Sequence, residues 1–218
     1  MIMDFNFKGK RVLVIGGGKE ATRKVEALLG QECGLDVVAE KFSEEILIWG
    51  EQNKATLWPE RVVDGRILQR FPDLFLVMAA TDDLNLNRTI TEAARALGCM
   101  VYSSDDPEHS DFSLPSLIDL HGVVRVAVST GGKSPLMAAR LRRKIEPLLQ
   151  SAIGAEDFGQ IRLQEIIRRD LRKHISDGKK RKAFLESVAN DAEIAALLRQ
   201  ERFTDALALA NSRLADHA

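Results

Sequence analysis

Arg11-Val-Leu-Val-Ile-Gly-Gly-Gly-Lys-Glu-Ala21 decides the fold. An apolar run ends in three glycines, after which Ala21, Val25, Leu28 and Leu29 recur at helical spacing. This is the order strand, tight turn, helix, and Gly16, Gly18 and Ala21 fill the G-x-G-x-x-G/A form. Gly16, Gly17 and Gly18 would let the backbone turn sharply and approach a pyrophosphate, whose charge is met by free amides at the helix N-terminus. A plain glycine-rich turn has the same composition; the strand before it and the helix after it favour the nucleotide reading.

Working outward, the apolar runs Leu35 to Ala39, Leu74 to Ala80 and Met100 to Ser103 alternate with helix-like stretches such as Leu84 to Leu97. Strands interleaved with helices predict an α/β fold, a Rossmann-type parallel sheet. Trp58 to Val63 is a weaker strand, because it contains Pro59 and charges. The polar stretch from Ser103 to Asp111 marks a loop and a boundary, giving a first domain over 1–111. Phe112 to Ile118 and Val123 to Ser129, separated by Asp-Leu-His-Gly, then read as a strand pair. Ser134 and Pro135 suit a helix start, and that helix is expected to run to about Glu146, ahead of Pro147. Residues 112–150 are thus expected to form a small β-containing domain. Residues 151–218 form a helical domain, broken near Gly178 and Asn190-Asp191.

Of the residues, 45% are hydrophobic and 29% charged, which fits a packed globular chain. The net charge of −1 gives no general attraction to nucleic acid or to a membrane surface, and no apolar run reaches membrane-spanning length. Cys33 and Cys99 lie in apolar stretches without the close spacing of a zinc or redox pair, so both are expected buried and reduced, and no metal ligand set is read. The N-terminus from Met1 lacks the pattern of a signal peptide, so the expected compartment is the cytoplasm.

Four further places carry chemistry. Glu40, just after the second strand, is placed to accept the ribose hydroxyls and disfavour a 2′-phosphate, with Asp36 inside the strand and Lys41 next to it as complications. In Ala79-Ala80-Thr81-Asp82-Asp83, Thr81 could line a cofactor site, while Asp82 or Asp83 could simply cap the next helix. Asp105, in the loop after the last parallel strand, is a candidate proton acceptor or a turn residue, with Asp106 as its rival and His109 read as a loop residue. Ser129-Thr130-Gly131-Gly132-Lys133-Ser134-Pro135, followed by Arg140, Arg142, Arg143 and Lys144, suits carboxylates or phosphates; a basic solvated face is the plainer reading of the arginines.

Together, residues 12 to 21, Ala-Ala-Thr-Asp-Asp-Leu-Asn-Leu-Asn (79 to 87), Phe-Ser-Leu-Pro-Ser-Leu-Ile-Asp (112 to 119) and Val-Ser-Thr-Gly-Gly-Lys-Ser-Pro (128 to 135) resemble the precorrin-2 dehydrogenase family, the dehydrogenase and ferrochelatase part of siroheme synthase. The resemblance runs over about residues 5 to 150. It implies NAD-dependent oxidation of precorrin-2 to sirohydrochlorin, a homodimer sharing the second sheet and, in bifunctional members, insertion of ferrous iron, with iron or cobalt as substrate. It also implies that Asp105 acts in dehydrogenation, that Lys19, Glu20, Glu40 and Lys41 contact the nucleotide, and that Thr130, with Gly131 and Lys133 beside it, lies near the tetrapyrrole. Two other readings stay open: a dehydrogenase without chelatase activity, and an NAD-sensing regulatory module that would share the glycine turn without needing the Ser-Thr-Gly-Gly-Lys-Ser-Pro loop.

Overall fold

β1 (Arg11–Ile15) is the middle strand of a five-stranded parallel sheet of order β3-β2-β1-β4-β5. The computed structural model describes residues 2–215, and the chain divides into two compact units between Leu114 and Pro115. In the first unit β2 spans Gly34–Ala39, β3 Thr56–Pro59, β4 Leu74–Ala79 and β5 Met100–Ser103. Helices α1 (Lys19–Leu28), α2 (Glu44–Glu51) and α3 (Leu84–Ala96) connect them, with a 3-10 turn at Gly65–Arg70.

Alternation along β1 explains the layers. Val12 and Val14 pack with Ala21, Val25 and Leu28 of α1, whereas Leu13 and Ile15 pack with Ile90 and Ala94 of α3. A central parallel strand covered on both faces must be apolar at every inward position, and this one is. Truncating a fully buried residue such as Leu13 to alanine would cost about 2–5 kcal/mol.

The weak third strand lies earlier than expected, at Thr56–Pro59 rather than Trp58 to Val63. As an edge strand it ends on Pro59, where the missing N–H takes nothing from the ladder. Trp58 Nε1 donates to Asp36 Oδ1 at 2.8 Å, and Arg11 Nε donates to Asp36 Oδ2 at 2.8 Å. The buried Asp36 is thereby committed to the sheet and withdrawn from any ribose role.

In the second unit β6 (Ser116–Leu120) and β7 (Val124–Val128) form an antiparallel hairpin. The expected strand from Phe112 starts only at Ser116, and the turn falls at His121–Val123, where His121 and Gly122 have φ of 57° and 69°. Helix α4 covers Pro135–Ala152 and does not stop before Pro147. Proline removes one backbone donor, and the turns on either side carry the helix through. Helices α5 (Ala155–His174), α6 (Gly178–Ala189), α7 (Ala192–Arg199) and α8 (Phe203–Ala215) follow, so the chain breaks as read at Asn190-Asp191 and just before Gly178, which opens α6. Leu163, Ile167, Leu171, Phe184, Val188, Ile194 and Leu198 form their shared core. Residues 216–218 of the helical tail, and Met1, lie outside the described residues.

Cys99 is buried as expected, whereas Cys33 is only half-buried; burial raises each thiol above its ordinary value, which keeps them protonated. Among the described residues no helix is long and apolar enough to cross a membrane.

Candidate active site

From β1 the chain proceeds outward through β2 and β3 on one side, and through β4 and β5 on the other. This reversal opens a crevice beyond the C-terminal ends of β1 and β4, where open parallel sheets bind ligands. Gly16 N–H donates to Val38 O at 2.9 Å and Ala80 N–H to Ile15 O at 2.8 Å, tying the three strand ends together.

The three glycines have different jobs. Gly16 has φ of 129°, and a Cβ there would stand 2.2 Å from Ala80 O; a Cβ on Gly17 would stand 2.0 Å from Lys41 O. Both are demanded by the protein's own backbone. A Cβ on Gly18 would meet nothing within 4 Å, so this is the glycine whose surroundings are free for a ligand. Gly18 is also the N-cap of α1 and brings no side-chain cap, in contrast to Ser43, Asp83 and Ser134, which cap α2, α3 and α4. Uncapped first-turn amides beside open space fit the pyrophosphate of a dinucleotide. Ala21 is fully buried and lets α1 lie close on the sheet.

A cavity of about 510 Å³ opens here, lined by Gly16 to Gly18, Glu40, Lys41, Arg61 and Thr81 among others. Lys19 and Glu20 are not in that lining, and the Glu20 carboxylate is 2.6 Å from Arg23 Nη1. Arg61 was not legible in the sequence. It lies in irregular chain after β3, and only the β2–β3 pairing carries it to the Glu40 side of the cavity.

At the far side of the switch point Thr81, Asn87, Ser103 and Asp105 are hydrogen-bonded in series. Asn87 Oδ1 accepts from Thr81 N–H at 3.0 Å and from the Thr81 hydroxyl at 2.7 Å, and Asn87 Nδ2 donates to Thr81 O at 2.9 Å and to Asp105 Oδ1 at 2.7 Å. Ser103 Oγ also donates to Asp105 Oδ1, at 2.9 Å. The rival Asp106 is engaged elsewhere. Its Oδ1 accepts from His109 N–H at 3.1 Å and its Oδ2 lies 2.8 Å from His109 Nδ1. The side-chain contact with His109 holds the Asp106 carboxyl below the usual carboxylate range. Asp83 is the helix cap, accepting from Asn85 and Leu86 N–H at 3.0 Å each.

The loop of the second unit is closed on itself. Thr130 Oγ1 accepts from Ser134 N–H at 3.0 Å and donates to Ser134 O at 3.1 Å, Gly131 N–H donates to Ser129 Oγ at 3.1 Å, and Ser134 Oγ caps Met137 N–H at 3.2 Å. The Lys133 side chain is exposed.

A parallel sheet with a glycine turn at its switch point, an uncapped helix start and an open cavity defines a dinucleotide-binding protein. The chain belongs to the family described as putative NAD(P)-binding, whose model matches residues 3–116, and residues 125–147 match the model of the sirohaem biosynthesis protein central region. It is 37% identical over 148 residues to the siroheme synthase of Gluconacetobacter diazotrophicus, covering 68% of this chain and 31% of that one. With the siroheme synthase of Nitrosococcus oceani it shares 36% identity over 183 residues, covering 84% of this chain and 37% of the relative. The chain thus spans about a third of the length of these curated relatives. Among solved structures, SirC, a precorrin-2 dehydrogenase, superposes with a TM-score of 0.68 at 21% identity over 95% of this chain and 98% of its own, which establishes the shared fold.

Proposed function

We propose that this chain oxidises precorrin-2 to sirohydrochlorin with NAD as hydride acceptor. The observation that carries the reading is the Asp105 carboxylate: one oxygen is fixed by Asn87 and Ser103, the other takes no hydrogen bond among the described residues, and Asn87 links it to Thr81 in the cofactor cavity. The oxidation removes a hydride and a proton from the macrocycle. NAD held at the start of α1 would supply the hydride acceptor. Asp105 Oδ2 takes the proton and releases it to water, so that sirohydrochlorin, NADH and a proton are formed. Glu40 at the end of β2 holds the ribose hydroxyls, the uncapped start of α1 holds the pyrophosphate, and Lys133 with Thr130 and Gly131 meets the substrate's carboxylates.

Residues 112–150 are proposed as a dimerisation and substrate part, and residues 151–218 as a helical part. A two-stranded sheet is marginal alone. Leu117 on β6 and Leu136, Met137 and Leu141 on α4 are exposed apolar side chains that a second copy would cover, giving a homodimer detectable by sedimentation. The reduced thiols suit the proposed cytoplasmic site of action.

Incubating the pure protein with precorrin-2 and NAD, and following absorbance, tests the reading. NADH should accumulate with sirohydrochlorin, and arms with ferrous or cobalt ion show whether the same protein inserts metal. Asp105→Asn should keep NAD affinity while turnover falls by about two to four orders of magnitude. An unchanged turnover would remove Asp105 from the chemistry.

A further inference from the structure

We infer that Asn87 is a positioning residue that aims the Asp105 carboxylate and fixes which of its oxygens is free to react, an inference that rests on Asp105 acting as proton acceptor. Asn87 is fully buried near the start of α3, a place where a polar side chain is costly unless every donor and acceptor is met. All are met here. The orientation of the amide is fixed by chemistry, because Thr81 N–H can only donate and therefore selects Oδ1, leaving Nδ2 as the donor toward Asp105.

Three of its four hydrogen bonds close the Thr81 turn. A residue whose task was only to close that turn would have no use for the fourth, which leaves the β4–α3 turn for the loop after β5. That fourth bond, at 2.7 Å, is joined by Ser103 Oγ at 2.9 Å on the same carboxylate oxygen. Two donors restrain Oδ1, and Oδ2 takes no hydrogen bond among the described residues. Parallel pairing of β4 with β5, Ala79 opposite Ser103, brings the two loops side by side. Because Thr81 lines the cofactor cavity, the same amide registers Asp105 against the wall of the nucleotide site. A general base has to sit within hydrogen-bond reach of the proton it removes, and a carboxylate free to rotate spends little time there.

The test uses the full chain labelled with ¹³C at the aspartate carboxyls, the Asp105 resonance being assigned by its loss in Asp105→Asn. In Asn87→Ala the Asp105 resonance should move at fixed pH, and kcat for precorrin-2 oxidation should fall roughly ten- to hundredfold, as for a lost hydrogen bond to a charged group, with KM within about twofold. Ser103→Ala should act in the same direction and less. Asn85→Ala, on the exposed side of the same helix, should leave the resonance and kcat unchanged. If Asn87→Ala does not fold, Ser103→Ala and Asn87→Ser carry the same two readouts. A resonance that stays put in the folded variants overturns the inference, as does full kcat in Asn87→Ala alongside a dead Asp105→Asn. If the resonance moves but Asp105→Asn itself turns over normally, the aiming is real and the assignment of Asp105 as the base is what fails.

Discussion

Two glycine-rich turns in this chain precede helices and look alike as sequence, yet they are built in opposite ways. The turn at Gly16 to Gly18 brings no side-chain cap to α1 and borders a cavity, whereas the turn from Ser129 to Ser134 ties Thr130 to Ser134, Gly131 to Ser129 and Met137 to Ser134. The first has open donors and a backbone that admits no side chain at two of its glycines. In the second, the Gly131, Lys133 and Ser134 N–H groups donate within the loop, and there is open space around its glycines. A glycine turn therefore offers its backbone amides to a ligand only where they lack internal partners, and the second turn has its exposed Lys133 side chain to offer instead; glycine content alone does not distinguish the two cases.

The sharpest way to break this contrast is to add one methyl to each turn. Gly17→Ala places a Cβ 2.0 Å from Lys41 O and 2.8 Å from the Ala39 Cβ, so the β1–α1 turn and the start of the 41–43 segment must move apart. Overpacking of this kind costs about 1–3 kcal/mol or more, and NAD binding should be lost with it. Gly131→Ala meets nothing within 4 Å, and its cost is confined to holding alanine at φ of 62°, about 1–2 kcal/mol. Thermal melts with and without NAD separate them. NAD should raise the Tm of the parent and of Gly131→Ala alike and should not raise that of Gly17→Ala; equal behaviour of the two variants would mean that the two turns serve the same purpose.

A smaller effect sharpens what the first turn selects. Glu40 would repel a 2′-phosphate, while Lys41 and Arg61 in the same lining would attract one. NAD should bind more tightly than NADP in calorimetry, Glu40→Ala should narrow the gap by roughly tenfold, and Arg61→Ala should widen it, in line with single charged hydrogen bonds. Equal or tighter NADP binding by the parent would show that the cations, not Glu40, govern the ribose end.

Much of this was readable beforehand because it follows from local pattern. The apolar runs of β1, β2, β4 and β5 and the glycine turn fix a parallel sheet, and Ser134-Pro135 fixes the start of α4. What escaped depends on long-range pairing. Glu44–Glu51 is a short helix that contains Gly50 and is held by the Ser43 cap, too brief to show a period. Pro59 moved the third strand, and Pro147 did not end α4, because one missing donor matters less at a sheet edge or inside a long helix than a local rule assumes. Asn87 is one of two asparagines in the first turn of α3, and nothing in a separation of 18 residues points to Asp105 until β4 and β5 are laid side by side.

The smallest expected effect concerns the loop that carries both aspartates, and it separates the aimed carboxylate from the structural one. Asp106 is bonded to His109 through its side chain and to the His109 backbone, and that partnership lowers its folded-state value below the ordinary 3.8. A depressed carboxylate contributes stability that is complete above its unfolded value and is lost as pH falls through the folded one. Asp106→Asn should therefore melt slightly below the parent near neutral pH, and the gap should close as pH drops below about 3.8, where the parent's own carboxyl takes up its proton. The pair is exposed enough for solvent to screen it, so the difference should be small and should shrink further in high salt. Turnover of Asp106→Asn near neutral pH should stay close to that of the parent, because its bonds to His109 shape the loop without touching Asp105. A collapse of turnover in Asp106→Asn together with full activity in Asp105→Asn would exchange the two roles, and the free oxygen of Asp105 would then be a solvated turn carboxylate.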